Sequence, residues 1–456
     1  MSRKTSRLAS GPVGQHLVNM TAPVLLGIAT MMGQALIDAW FIGQVGIDSL
    51  AAYSFGFPIL MIVTSVAIGL GAGTSSVVAR ALGRNDRKHA RRLSTDSILL
   101  SFMITAAISG VGVLTIDPLF SLLGAPGDIM PLIRGFMTIV YIGVPLIVVG
   151  MVGMASMRAT GDTRLPGILM VLASVLNIIL DPILIFGLGP IPALGLNGAA
   201  LAALLSRGAI FLGTVYFLRV KLRLVTLARP KREVLFRSWR EILHVGLPAA
   251  GTNVIVPLGA TLVTKMIAAF GPEAVAGFGV ASRIESMMLV IYYAISSIIG
   301  PFVGQNLSAR KEERILRALW LCMAFCVASG IGIALFLAAL SGVLPGLFSD
   351  SADANRVTEL FLWIVPVSYG AYGIVMVMNA AYNGLGRPMP GVWVSVMRIL
   401  VLYVPLAFIA KQFFGVVGIF AAYAAANIVT GVVAYVWARA IVRSLFIAPP
   451  ATERAV

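Results

Sequence analysis

Long apolar stretches follow one another along nearly the whole chain, separated by short polar loops. A run of about 20 apolar residues forms a helix long enough to cross the ~30 Å hydrocarbon core of a membrane. Charged residues make up only 11% of the 456 residues and apolar residues 59%, which leaves too little polar surface for a water-facing exterior. The chain is therefore predicted to be an all-α integral membrane protein.

Twelve stretches qualify as membrane-spanning helices, in two sets of six. The first set is predicted at 15–42, 52–80, 93–116, 132–156, 165–188 and 194–218. The second is predicted at 241–270, 278–304, 314–340, 357–382, 388–411 and 415–438. This arrangement predicts an N-terminal lobe over residues 1–218, a basic, solvated linker over 219–240 and a C-terminal lobe over 241–456.

The basic residues are distributed very unequally between the two sides of this arrangement. Of the 34 Lys and Arg residues, 27 fall in the termini and the loops on one side, and three fall in loops on the other. The positive-inside rule then places both termini in the cytoplasm, in a multi-pass protein of the cell inner membrane. Because the net charge of +16 is confined to short loops, nucleic acid is not predicted as a partner.

The two sets of spans resemble each other at an offset of 225 residues. Gly46 falls opposite Gly271, and the segment that begins at Leu50 falls opposite the one that begins at Val275. Six spans return the chain to its starting side, so both halves have the same orientation. We therefore expect two pseudo-symmetric lobes that enclose a cavity and rock by alternating access.

Three polar side chains stand out inside the first lobe, because charge within a span is costly and functional by default. Asp38 lies in the first span, and Asn177 and Asp181 lie one helical turn apart in the fifth. If these spans touch, they form one acidic cavity that binds a proton or a cation; interfacial or helix–helix hydrogen-bonding roles are the alternatives. Pro23 removes one backbone hydrogen bond of the first span and is a candidate helix hinge.

The second lobe carries different in-span charges, and Val263 falls opposite Asp38. These charges are candidates for lining a cavity: Lys265, Arg283, Glu285 and Arg398. Lys265, Glu285 and Arg398 need partners or water within the bundle. Arg283 is nearer the interface, and extension of its side chain to the membrane surface is the alternative. Only three histidines and two cysteines occur, so neither a transition-metal site nor an enzyme is predicted.

The sequence resembles the multidrug and toxin extrusion (MATE) transporters over residues 12–440. The resemblance is carried by Pro23 and Asp38, Leu50-Ala51-Ala52, Arg158-Ala159-Thr160-Gly161-Asp162-Thr163, Asn177-x-x-x-Asp181, Arg283-Ile284-Glu285 and Gly304-Gln305-Asn306. The acidic pair in the first lobe is similar to that of the DNA-damage-inducible (DinF-like) branch.

This resemblance implies a monomeric antiporter that exports polyaromatic, cationic drugs in exchange for H⁺ or Na⁺, without a cofactor. It implies that Asp38, Asn177 and Asp181 form the cation site and that Pro23 bends on protonation. The chain has Met154 or Ala155 and Gly198-Ala199 where relatives have an Asn and a hydroxyl residue, which favours H⁺ over Na⁺. The rival functions are a lipid-linked-precursor flippase, which the in-span cations favour, and a Na⁺-coupled drug exporter; membrane lipid is the expected surrounding partner.

Overall fold

The computed structural model of the protein describes residues 7–226, 228, 231–348 and 350–447. The two ends of the chain and part of the predicted linker therefore lie outside the described residues. Regular structure in the described part is helical, apart from one isolated bridge between Leu188 and Ile191.

Fifteen α-helices make up the described chain, with short 3-10 or π-helical turns between some of them. The helices of the first half are α1 Val13–Val45, α2 Ile47–Gly83, α3 Arg87–Leu114, α4 Ile116–Leu122, α5 Met130–Ala159, α6 Arg164–Ile185 and α7 Gly195–Tyr216. Those of the second half are α8 Arg232–Ala268, α9 Pro272–Met288, α10 Val290–Ser308, α11 Glu312–Leu340, α12 Ala352–Ile364, α13 Tyr369–Gly384, α14 Met389–Val396 and α15 Val404–Ile447.

The described helices supply the predicted twelve membrane spans, some of them built from two pieces. Ten continuous helical stretches are long and apolar enough to cross a membrane, and α9 with α10 forms an eleventh span bent by 44°. The stretch Met389–Ile447 contains two spans, because Gly415 interrupts it with a φ of 58°. The all-α, twelve-span prediction is confirmed, and Gly415 coincides with the predicted start of the last span.

The sequence repeat is also present in the backbone conformation. Residues with a positive φ angle, a conformation that disfavours an L side chain and that occurs in turns, recur 225 residues apart. The matching positions are Gly46 and Gly271 (φ 146° and 108°), Asn85 and Arg310 (φ 59° and 55°), and Gly161 and Gly386 (φ 84° and 73°). The two halves therefore place their loops and helix ends in corresponding positions.

The described chain divides into two compact units. The C unit comprises Met1–Asn19, Gly83–Asn85 and Gly251–Val456, and the N unit comprises Met20–Leu82 and Asp86–Ala250. The start of α1 is thus grouped with the second half of the chain, and the start of α8 with the first. The predicted lobe boundaries at 218 and 241 remain a prediction, since this grouping follows contacts rather than the course of the chain.

Glycines let helices of the N unit approach each other closely. A Cβ on Gly167 of α6 would lie 2.5 Å from the carbonyl oxygen of Pro23 in α1, and one on Gly198 of α7 would clash with the carbonyl of Leu184 in α6. At the start of α8, Gly246 similarly meets Gly69 of α2, with the Gly69 carbonyl oxygen 3.0 Å from an added Cβ. These contacts place α1, α6 and α7 side by side.

Both ends of the predicted linker, residues 219–240, are helical in the described chain. A helical turn continues α7 to Lys221, and α8 already begins at Arg232. Residues 222–226 lie along the start of α3, because Arg87 donates to the Leu222 carbonyl (3.0 Å) and Arg91 to the Val225 carbonyl (2.8 Å). These hydrogen bonds from guanidinium groups to backbone carbonyls hold the segment in place. Leu224, which is part of the segment, has a buried side chain.

In the C unit the chain segment before α1 is anchored by polar side chains. Arg314 of α11 donates to the carbonyls of Leu8 (2.9 Å) and Gly11 (2.6 Å), and Gln305 accepts the Leu8 N–H at 3.1 Å. The side chain of Leu8 is buried. This anchor, residues 8–11, fixes the beginning of α1 in the C unit.

Candidate functional site

The predicted acidic pair of the first half meets in the N unit. Asp38 of α1 and Asp181 of α6 have their carboxyl groups within hydrogen-bonding reach of each other. Gln34, one turn before Asp38, donates to the Asp38 Oδ2 at 3.2 Å and also contacts the Asn177 amide. Asn177 and Asp181 are buried, whereas Asp38 is partly exposed. The spans therefore touch, as the acidic-cavity prediction required.

The amide of Asn177 stands between the two carboxyl groups and can serve either of them. In one orientation its Nδ2 donates to Asp181 Oδ1 at 3.4 Å. In the flipped orientation the nitrogen donates to Asp38 Oδ1 at 3.0 Å, and the oxygen accepts the Ala203 N–H at 3.2 Å. An amide N–H stabilises an ionised carboxylate, so Asn177 favours the charged form of the carboxyl group to which it donates.

Two ionised carboxyl groups this close repel each other strongly in a poorly hydrated site, and a proton bound to either group removes that repulsion. The other oxygen of Asp181, Oδ2, is buried without a hydrogen-bond partner among the described residues. A proton or a small cation between the carboxyl groups would satisfy this arrangement. The geometry can thus take up and release one positive charge within the membrane span.

A cavity of about 80 Å³ opens beside Asp38 within the N unit. Its polar lining side chains are Asp38, Tyr53 of α2 and Arg207 of α7, and the rest of its wall is largely apolar. Tyr53 and Phe136 of α5 face each other edge to face, with ring centroids 5.8 Å apart. The cavity therefore combines a carboxyl group, a guanidinium and aromatic rings.

Gln34 and Arg207 were not among the site residues predicted from sequence. Gln34 carries no charge, and only its spacing of four residues from Asp38 suggested that both share one helix face. Arg207 was recognisable as a cation within a span, which is a functional signal by itself. Its association with Asp38 depends on how α7 packs against α1, which the chain order does not give.

A second polar cluster lies in the C unit. Tyr423 of α15 donates its hydroxyl to Glu285 Oε1 of α9 at 3.1 Å, and the buried Arg398 donates to Asn427 Oδ1 at 3.2 Å. The Arg398 guanidinium also lies 4.3 Å from the centre of the Tyr372 ring, in a cation–π contact. Of the four predicted C-lobe charges, Glu285 and Arg398 therefore sit among buried aromatic and amide groups.

Lys265 and Arg283, the other two predicted C-lobe charges, are exposed. Lys265 lies in the last turn of α8, and Arg283 faces outward from α9. The structure does not bring them to the cluster of Glu285 and Arg398.

The side chains around Asp38 offer oxygen ligands to a bound ion and, among the described residues, no cluster of metal-binding side chains. In the part of the chain that the structure describes, no group of three or more His, Cys, Asp or Glu side chains is placed to hold a metal ion. The carboxylate and amide oxygens of Asp38, Asn177 and Asp181 are the hard ligands available there. Pro23, the predicted hinge, lies nearer the start of the same continuous helix α1 as Asp38.

Twelve apolar spans in the described chain, an internal repeat and two in-span carboxyl groups, one of them beside a cavity, define a multi-pass membrane protein of the secondary-transporter class. The MatE family model matches residues 23–183 and again residues 248–409, two regions that begin 225 residues apart. The chain belongs to this family, the multidrug and toxin extrusion transporters, and it is thus a transporter and not an enzyme.

Individual relatives extend along nearly the whole chain. The FAD transporter of Shewanella oneidensis is 38% identical over 434 residues, covering 95% of this chain and 96% of its own. The multidrug export protein MepA of Staphylococcus aureus is 24% identical over 422 residues, covering 90% and 89%. The crystal structure of the Vibrio cholerae MATE transporter VcmN in the bent form superimposes with a TM-score of 0.91 at 30% identity, covering 95% of this chain and 98% of that one.

Proposed function

We propose that this protein is a proton-coupled exporter of polyaromatic, cationic compounds, with Asp38, Asn177 and Asp181 as the coupling site. The observation that carries the proposal is the contact between the Asp38 and Asp181 carboxyl groups on either side of the Asn177 amide. We place it in the plasma membrane as a monomer with both termini cytoplasmic, and in the DinF-like branch because its acidic pair lies in the first half.

The coupling arises because the proton and the cationic compound compete for the negative charge of the carboxyl pair. An ionised Asp38 beside an apolar, aromatic cavity attracts a cationic ring compound, and a proton arriving at the carboxyl pair removes that attraction. A proton that binds more tightly to one conformation than to another shifts the balance between them. Proton entry from outside the cell would thus drive release of the compound there.

Proton coupling is favoured over Na⁺ coupling by the number of oxygen ligands. A proton needs one carboxyl oxygen, whereas a sodium ion needs several hard oxygen ligands arranged around it. Ala199, which lines the cavity, and the buried Met154 contribute no side-chain oxygen to the site. Gln34 adds an amide to the network, and Na⁺ therefore remains the alternative coupling ion.

Pro23 is proposed as the hinge of α1. Its ring removes a backbone hydrogen bond of the helix, and its carbonyl oxygen contacts α6 at Gly167. Residues 8–11 hold the helix start, so a change at Asp38 would bend α1 above a fixed base. In the C lobe, proposed from residue 241 onward, Glu285 and Arg398 are the charges proposed to take part in transport.

Efflux assays with Asp38→Asn and Asp181→Asn test the coupling site. We expect each variant to lose proton-driven ethidium export by at least about tenfold, since an amide cannot exchange the proton. Asp128→Asn, a change in the loop before α5, is the matched control and should export normally. Undiminished export by both site variants would refute the proposed coupling site.

A second candidate substrate is a flavin nucleotide. The FAD transporter relative is more similar to this chain, at 38% identity, than the multidrug exporter MepA, at 24%. Flavin nucleotides share flat aromatic rings with the drugs proposed above, but they carry phosphate groups of negative charge. Uptake of FAD into inside-out vesicles, compared with uptake of ethidium, distinguishes the two substrates; FAD uptake without ethidium uptake would overturn the cationic assignment.

A further inference from the structure

Arg207 occupies an unusual position in the N unit. It lies about 18 Å along α7 from Gly195, at 1.5 Å per residue, so it is far from both ends of the helix. Its side chain lines the cavity that Asp38 also lines. A guanidinium at this depth is costly in a membrane protein unless it meets a counter-charge, water or a ligand.

Arg207 differs from the other deeply placed arginine of the chain. Arg398 donates to Asn427 and lies over Tyr372. Within the described residues, Arg207 has no such contact: it makes no hydrogen bond and no ion pair within 4.0 Å. Its principal opposite charge is Asp38, with which it interacts electrostatically across the cavity. The guanidinium donors are thus available to a bound molecule.

We propose that Arg207 is the anion-binding residue of the N-unit cavity and that Asp38 switches it. An ionised Asp38 compensates the guanidinium charge, whereas a protonated Asp38 leaves Arg207 to bind the phosphate or carboxylate of an aromatic substrate. This inference rests on the proposed function in taking the N-unit cavity as a substrate site, and it names aromatic organic anions as a substrate class.

The charges of the groups around the cavity determine whether acidic conditions strengthen or weaken the binding of a charged substrate. The titratable groups facing Asp38 are Tyr53 from α2, Asp181 from α6 and Arg207 from α7, whereas α5 contributes only apolar side chains to the cavity. One added proton makes this set more positive by one unit. Acidic conditions therefore strengthen binding of an anion and weaken binding of a cation, so the two substrate classes respond to pH in opposite directions.

The size of the cavity limits what enters it. Pockets that enclose a drug-sized ligand usually have volumes of ~300–1,000 Å³, whereas this cavity has about 80 Å³. One charged group and the edge of a ring can enter, with the ring against Tyr53 and Phe136. The rest of an aromatic anion would extend out of the cavity.

Two flavins that differ by one phosphate test the proposal with the purified full-length protein. Riboflavin is neutral, and FMN carries the same ring with a phosphate that keeps at least one negative charge. We expect FMN to bind at least about tenfold more tightly than riboflavin at acidic pH, the effect of one charge-assisted hydrogen bond. The preference should shrink at alkaline pH in the native protein and persist there in Asp38→Asn.

The arginine variants decide the role of the guanidinium. Arg207→Gln should bind both flavins equally, Arg207→Lys should keep part of the preference, and the exposed Arg134→Gln should match the native protein. An unchanged flavin ratio in Arg207→Gln overturns the inference, as does equal binding of both flavins by the native protein at acidic pH. If Arg207→Gln does not fold, the native pH response and Arg207→Lys still decide.

The same variants separate this inference from the proposed function. An unchanged flavin ratio in Arg207→Gln, with ethidium export lost in Asp38→Asn, overturns the inference alone. A lost flavin ratio in Arg207→Gln, with ethidium export intact in both Asp38→Asn and Asp181→Asn, refutes the coupling site and supports Arg207 as an anion-binding residue.

Discussion

Some buried polar side chains in this protein bind partners on other helices. Asn427 of α15 is the clearest case, since it accepts from Arg398 at 3.2 Å and donates to Ser368 at 3.0 Å. All three residues are almost completely buried. An amide in this position stabilises a guanidinium that has few other acceptors, because its Nε has none among the described residues.

Removal of the Asn427 amide should therefore destabilise the C unit. We expect Asn427→Ala to cost about 1–3 kcal/mol or more, the penalty for leaving a buried donor without an acceptor, here a charged one. Tyr423→Phe, which removes only the hydroxyl bound to Glu285, should cost less. Thermal unfolding in detergent measures both; a larger loss for Tyr423→Phe than for Asn427→Ala would contradict this account of the cluster.

Some residues of the candidate site could be predicted from the sequence alone, and others could not. Asp38, Asn177 and Asp181 could be found because a polar group within an apolar span needs a reason to be there. Gln34 and Arg207 could not be assigned to the same site, because their partners lie on other helices and become neighbours only when α1 and α7 pack. The sequence set Arg283 apart as the charge nearer the interface, but it offered no means of separating the exposed Lys265 from Glu285 and Arg398.

At the scale of helices, the contact between α1 and α6 connects the site to the proposed hinge. Gly167 meets Pro23 at one level of these helices, and Asn177 meets Gln34 at another. Any side chain at position 167 has to push α1 away at the proline. The geometry of the acidic pair therefore depends on a glycine that carries no chemistry itself.

Gly167→Ala should lower stability and transport together. An added Cβ 2.5 Å from the Pro23 carbonyl forces the backbone to shift, and overpacking of this kind costs about 1–3 kcal/mol. Gly110→Ala in α3 is the matched control, since a Cβ there meets no atom within 4 Å. Thermal unfolding and ethidium export measure the effect, and equal behaviour of the two variants would show that the close contact is unimportant.

Helix lengths and ends were predictable, whereas bends within helices were not. Turn glycines and basic loops mark where the chain leaves the membrane, so the predicted spans agree with the helices to within several residues at most ends. The 44° bend between α9 and α10 has no proline at Leu289 to announce it. The contacts of residues 222–226 with Arg87 and Arg91 of α3 were likewise not predictable from the chain order.

On the scale of the whole molecule, each unit holds the beginning of a helix that continues in the other unit. Residues 8–11 are anchored by Arg314 in the C unit, and the beginning of α8 contacts α2 in the N unit. The repeat was visible in the sequence, but this exchange of helix starts was not, because it depends on tertiary contacts. Neither half of the sequence forms a complete unit by itself.

Separate halves of the chain should consequently need each other to fold. We expect fragments 1–226 and 231–456 to co-purify and export ethidium when expressed together, and to aggregate when expressed alone. Size-exclusion chromatography of each fragment and of the pair measures this. Two fragments that are separately monodisperse and as heat-stable as the pair would contradict the grouping of the helix starts.

The central claim is that protons act through the carboxyl groups of Asp38 and Asp181. The most direct test is ethidium transport in proteoliposomes under an imposed pH gradient and, separately, under an imposed Na⁺ gradient. We predict that the pH gradient drives transport by the native protein but not by Asp38→Asn or Asp181→Asn, and that the Na⁺ gradient drives none. Transport driven by Na⁺ alone, or pH-driven transport that persists in both variants, would contradict the account.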